Sequence, residues 1–510
     1  MAAGNLLAFS GNNNITLDVA VNGTVVTGGG QIVSLGTLEF AAGTTIKVAP
    51  NGGVAGLVGG ATIKTSVITS ATVVAAGKTL DLSKVDVKTP DTFTKWTAAP
   101  GANGGLDLIV SDRSEAALLE ILGSSADAAD KANIAAITSA AFGTDGNKVR
   151  EMLRGLNTGG VPDKAKVNEA LDRLPALTTV SDAVESTASA VSMGMSQRMT
   201  NLAGSQGARV QNRTVASNGS ASGIAAGDGG DRYGIWASPF FGKTTQKENK
   251  GAAGYKSNAY GASFGFDTRA NEDMIVGAAF TVANTEMKHR NFKSGDKTKI
   301  SSMMFSIYGM QQITDNWFAH GVATFGSNEV KNAEKRVANL TTYDTVHGKY
   351  NSASFNGEAM FGYNVLTDQV TFTPMAGLRY SRVNDGGYKE TGSTTGQNLD
   401  VNTKASNKLE MVAGVRVAGG TFASNGMTLT PEIHGFVNHD LIGKNPKQTL
   451  GLAGTNGLAV KSNKPVKTTF NLGLGVNAEY GMMEYGAGYD AEIATKRLGH
   501  QGTLKIRVNF

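Results

Sequence analysis

The last seven residues decide the fold: Leu504-Lys505-Ile506-Arg507-Val508-Asn509-Phe510. Leu504, Ile506, Val508 and Phe510 fall on one side of an extended chain, while Lys505, Arg507 and Asn509 fall on the other, because successive strand side chains point to opposite faces. The same alternation runs backwards through the sequence. In 470–480, Phe470, Leu472, Leu474, Val476, Ala478 and Tyr480 oppose Asn471, Gly473, Gly475, Asn477 and Glu479. In 370–380, Val370, Phe372, Pro374, Ala376, Leu378 and Tyr380 oppose a set that includes Thr371, Thr373 and Arg379, and in 409–417 Leu409, Met411, Ala413, Val415 and Val417 oppose Glu410, Val412, Gly414 and Arg416. Such alternation predicts strands with one apolar face.

A soluble sandwich would alternate in the same way, so the connections matter. Long polar loops (243–256, 285–298, 330–349, 384–402, 441–466) alternate with short turns (269–273, 314–316, 366–368, 424–426, 481). Aromatic residues stand near strand ends: Trp236, Tyr260, Trp317, Tyr363, Tyr380, Tyr480 and Tyr485. Short turns on one side, long loops on the other and aromatic girdles between are the marks of an outer-membrane barrel. We count about twelve strands, an even number that closes an antiparallel barrel.

Composition agrees. No run of about 18 apolar residues occurs, which excludes a helical membrane protein but not a barrel, whose apolar residues are diluted by lumen residues. Charged residues are only 17 % of the 510, and glycine contributes 66. Cysteine is absent, which excludes disulfides, zinc–thiolate sites and thiol catalysis. The net charge of +5 is thinly spread, with no basic run interleaved by aromatics, so no nucleic-acid partner is expected. The positions opposite the apolar face carry Glu358, Arg379, Glu410, Arg416, Glu432, Glu479, Glu484, Asp490, Lys505 and Arg507. In lipid such groups cost several kcal/mol each, so a lumen with ions paired across it is expected.

A composition step divides the chain. All twelve tyrosines lie at or after Tyr233, and only Phe9, Phe40, Phe93 and Phe142 precede it. The barrel therefore occupies 233–510, after a flexible Gly/Ser/Ala connector at 207–232. Residues 111–206 take a helical period; their longest run, about 178–203, puts Val184, Ala188, Val191 and Met195 on one side, with Asn201 near its end. At about 39 Å a helix of small residues could thread a pore about 30 Å deep. The alternative is an ordinary amphipathic helix on a soluble domain. Residues 1–110 hold β-branched runs (15–21, 31–35, 44–48, 71–74) at roughly 15–20 residue spacing. They read as a β-solenoid-like passenger remnant, with a small antiparallel sandwich as the alternative. The opening Met1–Asn14 has no basic region and no apolar core, so no signal peptide is read there and a truncated or split reading frame, or a fragment, is expected.

Helical segment, connector, twelve strands and final Phe together resemble an autotransporter. The stretches 253–268, 294–300, 374–380, 387–392 (Gly-Tyr-Lys-Glu-Thr-Gly), 431–438 (Pro-Glu-Ile-His-Gly-Phe-Val-Asn), 483–490 (Met-Glu-Tyr-Gly-Ala-Gly-Tyr-Asp) and 500–510 further resemble the β-domain of the rickettsial outer membrane protein A and B surface antigens. The resemblance implies a type V secretion translocator in the bacterial outer membrane, inserted by the barrel-assembly machinery, with the N-terminal part at the cell surface. It also implies a role in host-cell adhesion and invasion through a host receptor. Phe510 with Val508, Ile506 and Leu504 is the expected assembly signal, in a monomeric barrel facing outer-membrane lipid. A plain pore, or an anchored barrel with a periplasmic N-terminal domain, is the other reading.

No enzyme, metal or cofactor is expected. His434 near Glu432 lacks a nucleophile and an oxyanion site, and His439 lies at a strand end. Asn201 and Asp182 are the candidate positions for passenger autocleavage, although an Asn near a helix end is more often a cap.

Overall fold

The computed structural model describes residues 233–510 apart from 250–251, 368, 421, 425, 444–447, 453–454 and 459–465. It describes 161–176, the helix 180–216 (without the side chains of 201–216), segments of 1–114, and a few positions between 116 and 158. The strand read at 71–74, most of the helix read from Glu115, and residues 217–232 of the connector lie outside the described residues.

Twelve long strands form one closed antiparallel barrel. They are β1 (Tyr233–Gln246), β2 (Tyr255–Asn271), β3 (Met274–His289), β4 (Lys297–Gln312), β5 (Trp317–Val337) and β6 (Tyr343–Tyr363). Then follow β7 (Val370–Asp385), β8 (Ser406–Gly419), β9 (Met427–Asp440), β10 (Thr468–Tyr480), β11 (Met483–Ala494) and β12 (Arg497–Asn509). Each pairs with its chain neighbours, and β12 closes on β1 in the register Gly234↔Asn509, Ile235↔Val508, Trp236↔Arg507. Closure leaves no strand edge in the membrane band, where the ladders satisfy the backbone without water, as a bilayer requires. The β1–β12 ladder is locked at its end by reciprocal backbone bonds between Tyr233 and Phe510, both 3.0 Å.

Alternation sorts the side chains. Leu504 is 59 % exposed and Ile506 49 %, whereas Arg507 between them and Asn509 is 8 %. The outward face of β5 is apolar or small from Trp317 to Phe325, then turns polar at Ser327, Glu329 and Lys331. That of β6 is polar from Thr345 to Asn351 and apolar or small from Ala353 to Phe361. The lipid-facing band thus spans about ten residues of strand, the length a tilted strand needs to cross the hydrocarbon. β5 and β6, 21 residues each, project well beyond it, while β10–β12 have only 12–13.

One girdle residue departs from the sequence reading. Trp236 lies inside, 4 % exposed, with its indole N–H donating to the Tyr308 hydroxyl at 2.8 Å. Parity decides it: Ile235 faces lipid, so its neighbour cannot.

Among the described residues two helices with both ends defined precede the barrel: α1 (Lys164–Arg173), capped by the Asp163 carboxylate on the Lys166 amide, and α2 (Val180–Ala216). α2 extends ten residues into the stretch read as connector from 207. Gly204 and Gly207 suggest a break, but helix-compatible residues follow them to Ala216.

In residues 1–112 the strands at 14–22, 45–51 and 85–87 pair in parallel, with Ile15↔Ile46 and Ile46↔Val85. The solenoid reading does not extend to residue 110, because 94–100 and 62–70 both pair antiparallel with 106–112. Ile46, Val48, Val67, Trp96 and Leu108 share a buried core there.

Candidate functional site

The lumen is built from inward positions of the twelve strands and filled by α2. Helix residues Ala188, Val191, Met195 and Met199 pack against a wall that includes Ile275, Met304, Phe318, Val322 and Met360. Methionine suits this interface, since its unbranched thioether fills irregular gaps. Glycine brings the wall close: a Cβ on Gly265 would lie 2.3 Å from the Trp236 ring, and one on Gly277 2.5 Å from that of Tyr308. The two aromatics lie over the two glycines and present a flat face to the helix.

Polar contacts fix the helix at several heights. Ser181 donates to Asp385 at 2.5 Å, Arg497 to Ser186 at 3.1 Å, and Asn356 to Ser189 at 3.1 Å. Further down, Ser192 meets Thr324 at 3.1 Å, Ser196 meets His320 at 2.6 Å, and Arg198 pairs with Asp267 at 2.6 Å. These contacts also give the direction of α2. It enters at the long-loop mouth, near the end of β7, and descends towards the short-turn rim where β1 begins.

The charges read from alternation are distributed as follows. Arg379 contacts Glu358 at 2.6 Å and Glu410 at 3.7 Å, and Glu410 also takes Lys408 at 2.8 Å. Arg416 pairs with Glu432 at 2.5 Å. Glu484 holds Arg507 at 2.8 Å and Lys505 at 3.5 Å. Asp490 accepts from Gln197 of the helix and meets His434 at 2.8 Å. Glu479 differs from the rest: it is exposed at the short-turn rim beside Tyr480. Val184, Ala188, Val191 and Met195 are all at most 5 % exposed. Asn201 sits within α2, fifteen residues before its end, so it caps nothing; its side chain lies outside the described residues. His434 is occupied by Asp490, and His439 by Thr468 at 2.9 Å. Among the described residues no group of three or more His, Asp or Glu is placed to hold a metal.

Sequence reasoning missed Arg198, Asp267 and His320. The signals were there: Asp267 alternates with the lipid-facing Phe264 and Phe266, and Arg198 follows Met195 by three residues on the helix stripe that Val184 begins.

The plug is eccentric. Opposite its apolar contact lies a cleft of about 160 Å³ between α2 and the walls of β1, β2 and β7–β12, lined by Glu185, Lys408, Glu492 and Arg497 among others.

Above the lipid band a second layer closes the mouth. Leu153, Leu156, Val167, Leu171 and Leu174 share a buried core with Val330 and Val337 of β5, Tyr350 of β6, and Leu399 and Leu450 of two short strands (Leu399–Thr403 and Gln448–Leu452) that pair with each other outside the barrel. Under it lies a balanced cluster of ions. Arg173 of α1 meets Asp296 at 3.4 Å; Lys293 donates to the Arg173 and Pro175 carbonyls and to Glu334; Arg336 joins Glu334 to Glu390, both at 3.0 Å. Burial pushes Asp296 up to about 6 and Glu390 up to about 7. At Glu334 burial works in the same direction, but Lys293 and Arg336 outweigh it and hold the carboxyl at about 2.

A closed barrel with a lipid-facing band and a helix threading its lumen from the long-loop mouth defines an outer-membrane translocator. The autotransporter β-domain profile matches residues 235–490, half of the chain, and the chain belongs to that family. It is 41 % identical to outer membrane protein B of Rickettsia japonica over 298 residues, 56 % of this chain and 18 % of that protein. It is 39 % identical to outer membrane protein A of Rickettsia conorii over 286 residues, 55 % of this chain and 14 % of that one. The chain thus spans less than a fifth of the length of these curated relatives. The translocator domain of the autotransporter NalP from Neisseria meningitidis superposes with a TM-score of 0.45 at 19 % identity, covering 60 % of this chain and 97 % of that domain. The chain is a type V secretion translocator of the outer membrane, and its role is structural and transport-related.

Proposed function

We propose that the barrel displays its own N-terminal segment on the cell surface, where that segment acts as an adhesion and invasion antigen towards a host-cell receptor. One observation carries the reading. α2 runs from the long-loop mouth down to the rim where β1 starts, and α1 before it packs at that mouth, so the chain enters the lumen from the mouth side. With long loops on the cell exterior, as in outer-membrane barrels generally, that mouth opens outwards. The β-rich fold of 1–112 then forms outside, and its folding biases export without a nucleotide. The barrel-assembly machinery would recognise the β12 face made by Leu504, Ile506, Val508 and Phe510. The names of the rickettsial relatives support the outer-membrane part of this reading; adhesion is carried over from the resemblance alone.

The test is surface proteolysis of intact cells that express the chain behind a fused export signal, with a tag at residue 1. Loss of the tag, with a membrane-embedded fragment beginning near residue 180–205, is the expected result. A tag protected while the barrel is in the membrane would make the N-terminal part periplasmic and end the adhesin reading.

A further inference from the structure

The outward face of β2–β6 changes character at one height. The topmost large apolar residues are Tyr260, Val282, Met303 and Phe325; above them stand Lys256, Lys288, Lys297, Lys299, Lys331 and Lys349, all exposed. Their register is unusual. Lys256 is directly opposite Lys288, and Lys288 opposite Lys297. In the neighbouring row Lys299 is opposite Lys331, and Lys331 opposite Lys349; Glu286 stands opposite Lys299 on its other side without forming an ion pair with it. Like charges facing each other across strands destabilise a sheet unless something neutralises them. Glu329 serves Lys331 at 2.5 Å and Lys349 at 2.7 Å. Lys256, Lys288, Lys297 and Lys299 make no ion pair among the described residues. The shelf is one-sided: on β9–β11 the outward positions stay apolar or small up to Val437, Phe470 and Ile493, and on β12 the outward row up to Leu498 is broken only by His500, which bonds the Tyr489 hydroxyl.

Height identifies the ligand. Lys256 is four residues above Tyr260, as Lys299 is above Met303, which for a strand tilted about 45° is about 9 Å beyond the hydrocarbon edge. The headgroup layer occupies about 5–7 Å there, within reach of lysine stems that extend along apolar surface while the ammonium stays wet. We propose that this shelf binds the phosphate groups of an anionic glycolipid in the surface leaflet. The leaflet assignment rests on the display reading above; the charge match to phosphate does not. A soluble sulfated polysaccharide is the competing ligand, and the closeness of the shelf to the lipid band favours the lipid.

The test uses the full chain, delipidated and refolded in neutral detergent micelles, with bisphosphorylated lipid A as probe and native mass spectrometry to count retained lipid. Each lysine beside an anionic lipid surface contributes roughly a fivefold gain in affinity. The triple variants K256Q/K288Q/K297Q and K299Q/K331Q/K349Q should each lose on the order of 100-fold in retention, while the matching Lys→Arg variants keep it. Folding is checked by heat-dependent gel mobility, which outward substitutions should leave unchanged. Equal retention by the glutamine variants, or equal retention of dephosphorylated lipid A by the natural chain, would overturn the proposal. Binding to heparin without lipid retention would overturn it in favour of the polysaccharide. Micelles have no sides, so failure of surface display and failure of lipid binding are separately visible.

Discussion

Arg198 of the lumen helix and Asp267 of β2 are 2.6 Å apart near the foot of the lumen, and the same carboxylate takes Arg507 of the closing strand β12 at 2.6 Å. Plug and seam therefore share one anion. Asp267 is 1 % exposed and Arg198 4 %, so neither guanidinium has water as a substitute.

Removing that anion leaves Arg198 buried without its carboxylate and Arg507 with Glu484 alone, and an uncompensated buried cation costs about 3–5 kcal/mol. Asp267→Asn should lower the temperature at which the heat-modifiable band unfolds on a gel, and should give planar-bilayer recordings with openings absent from the parent. An unaltered transition would show that the seam does not depend on this residue.

Deleting the lumen part of α2 should raise single-channel conductance several-fold, because the eccentric cleft alone leaves a narrow path. The barrel should survive, since its twelve strands pair without the helix. Low conductance in a folded deletion variant would count against the plug.

Phe510 ends the seam. Its backbone bonds Tyr233, and the two rings stack at 6.1 Å. Removing Phe510 should reduce the membrane-inserted, protease-resistant barrel several-fold in cells, with a smaller effect on refolding in detergent, where no assembly machinery reads the strand. Equal loss in both settings would make the residue structural only.

The mouth cluster predicts a pH dependence of known sign. For Asp296 and Glu390 the folded pKa is raised, to about 6 and about 7, so the folded state binds more protons than the unfolded between about pH 4 and 7 and docking of α1 weakens as pH rises through that window. Glu334 acts oppositely: held at about 2, it contributes stability above its ordinary pKa that is lost as pH falls below about 4.5. Protection factors of the 164–176 amides, which remove the intrinsic pH dependence of exchange, should be highest near pH 5 and lower at pH 8, and Glu390→Gln should flatten the upper limb. A parent profile that is flat from pH 5 to 8 would refute this.

The barrel was legible because alternation is local: each strand announces its two faces without reference to any other. Parity also exposes the girdle error, since Trp236 next to the lipid-facing Ile235 has to be internal. What local pattern does not contain is pairing. Nothing in the sequence joins Arg416 to Glu432 rather than to Glu410, because that depends on the stagger of β8 against β9. The mouth was not legible at all: Lys293 reaches the Pro175 carbonyl 118 positions away, and neither residue has a periodic neighbourhood to mark it. The end of α2 was misjudged for a different reason. Gly204 and Gly207 lower helix propensity, and propensity is a weak prior beside what the flanking residues allow.

The ladder of side-chain contacts along α2 has a mechanical meaning. Ser181, Ser189, Ser192, Ser196 and Arg198 are each tied to the wall at a different height, across the helix axis. Tension on the chain before Val180 runs along that axis, so these contacts are loaded together in shear and must yield nearly at once. On the display reading proposed above, a segment tethered in this way could bear a pull from outside while its barrel stays seated in the membrane.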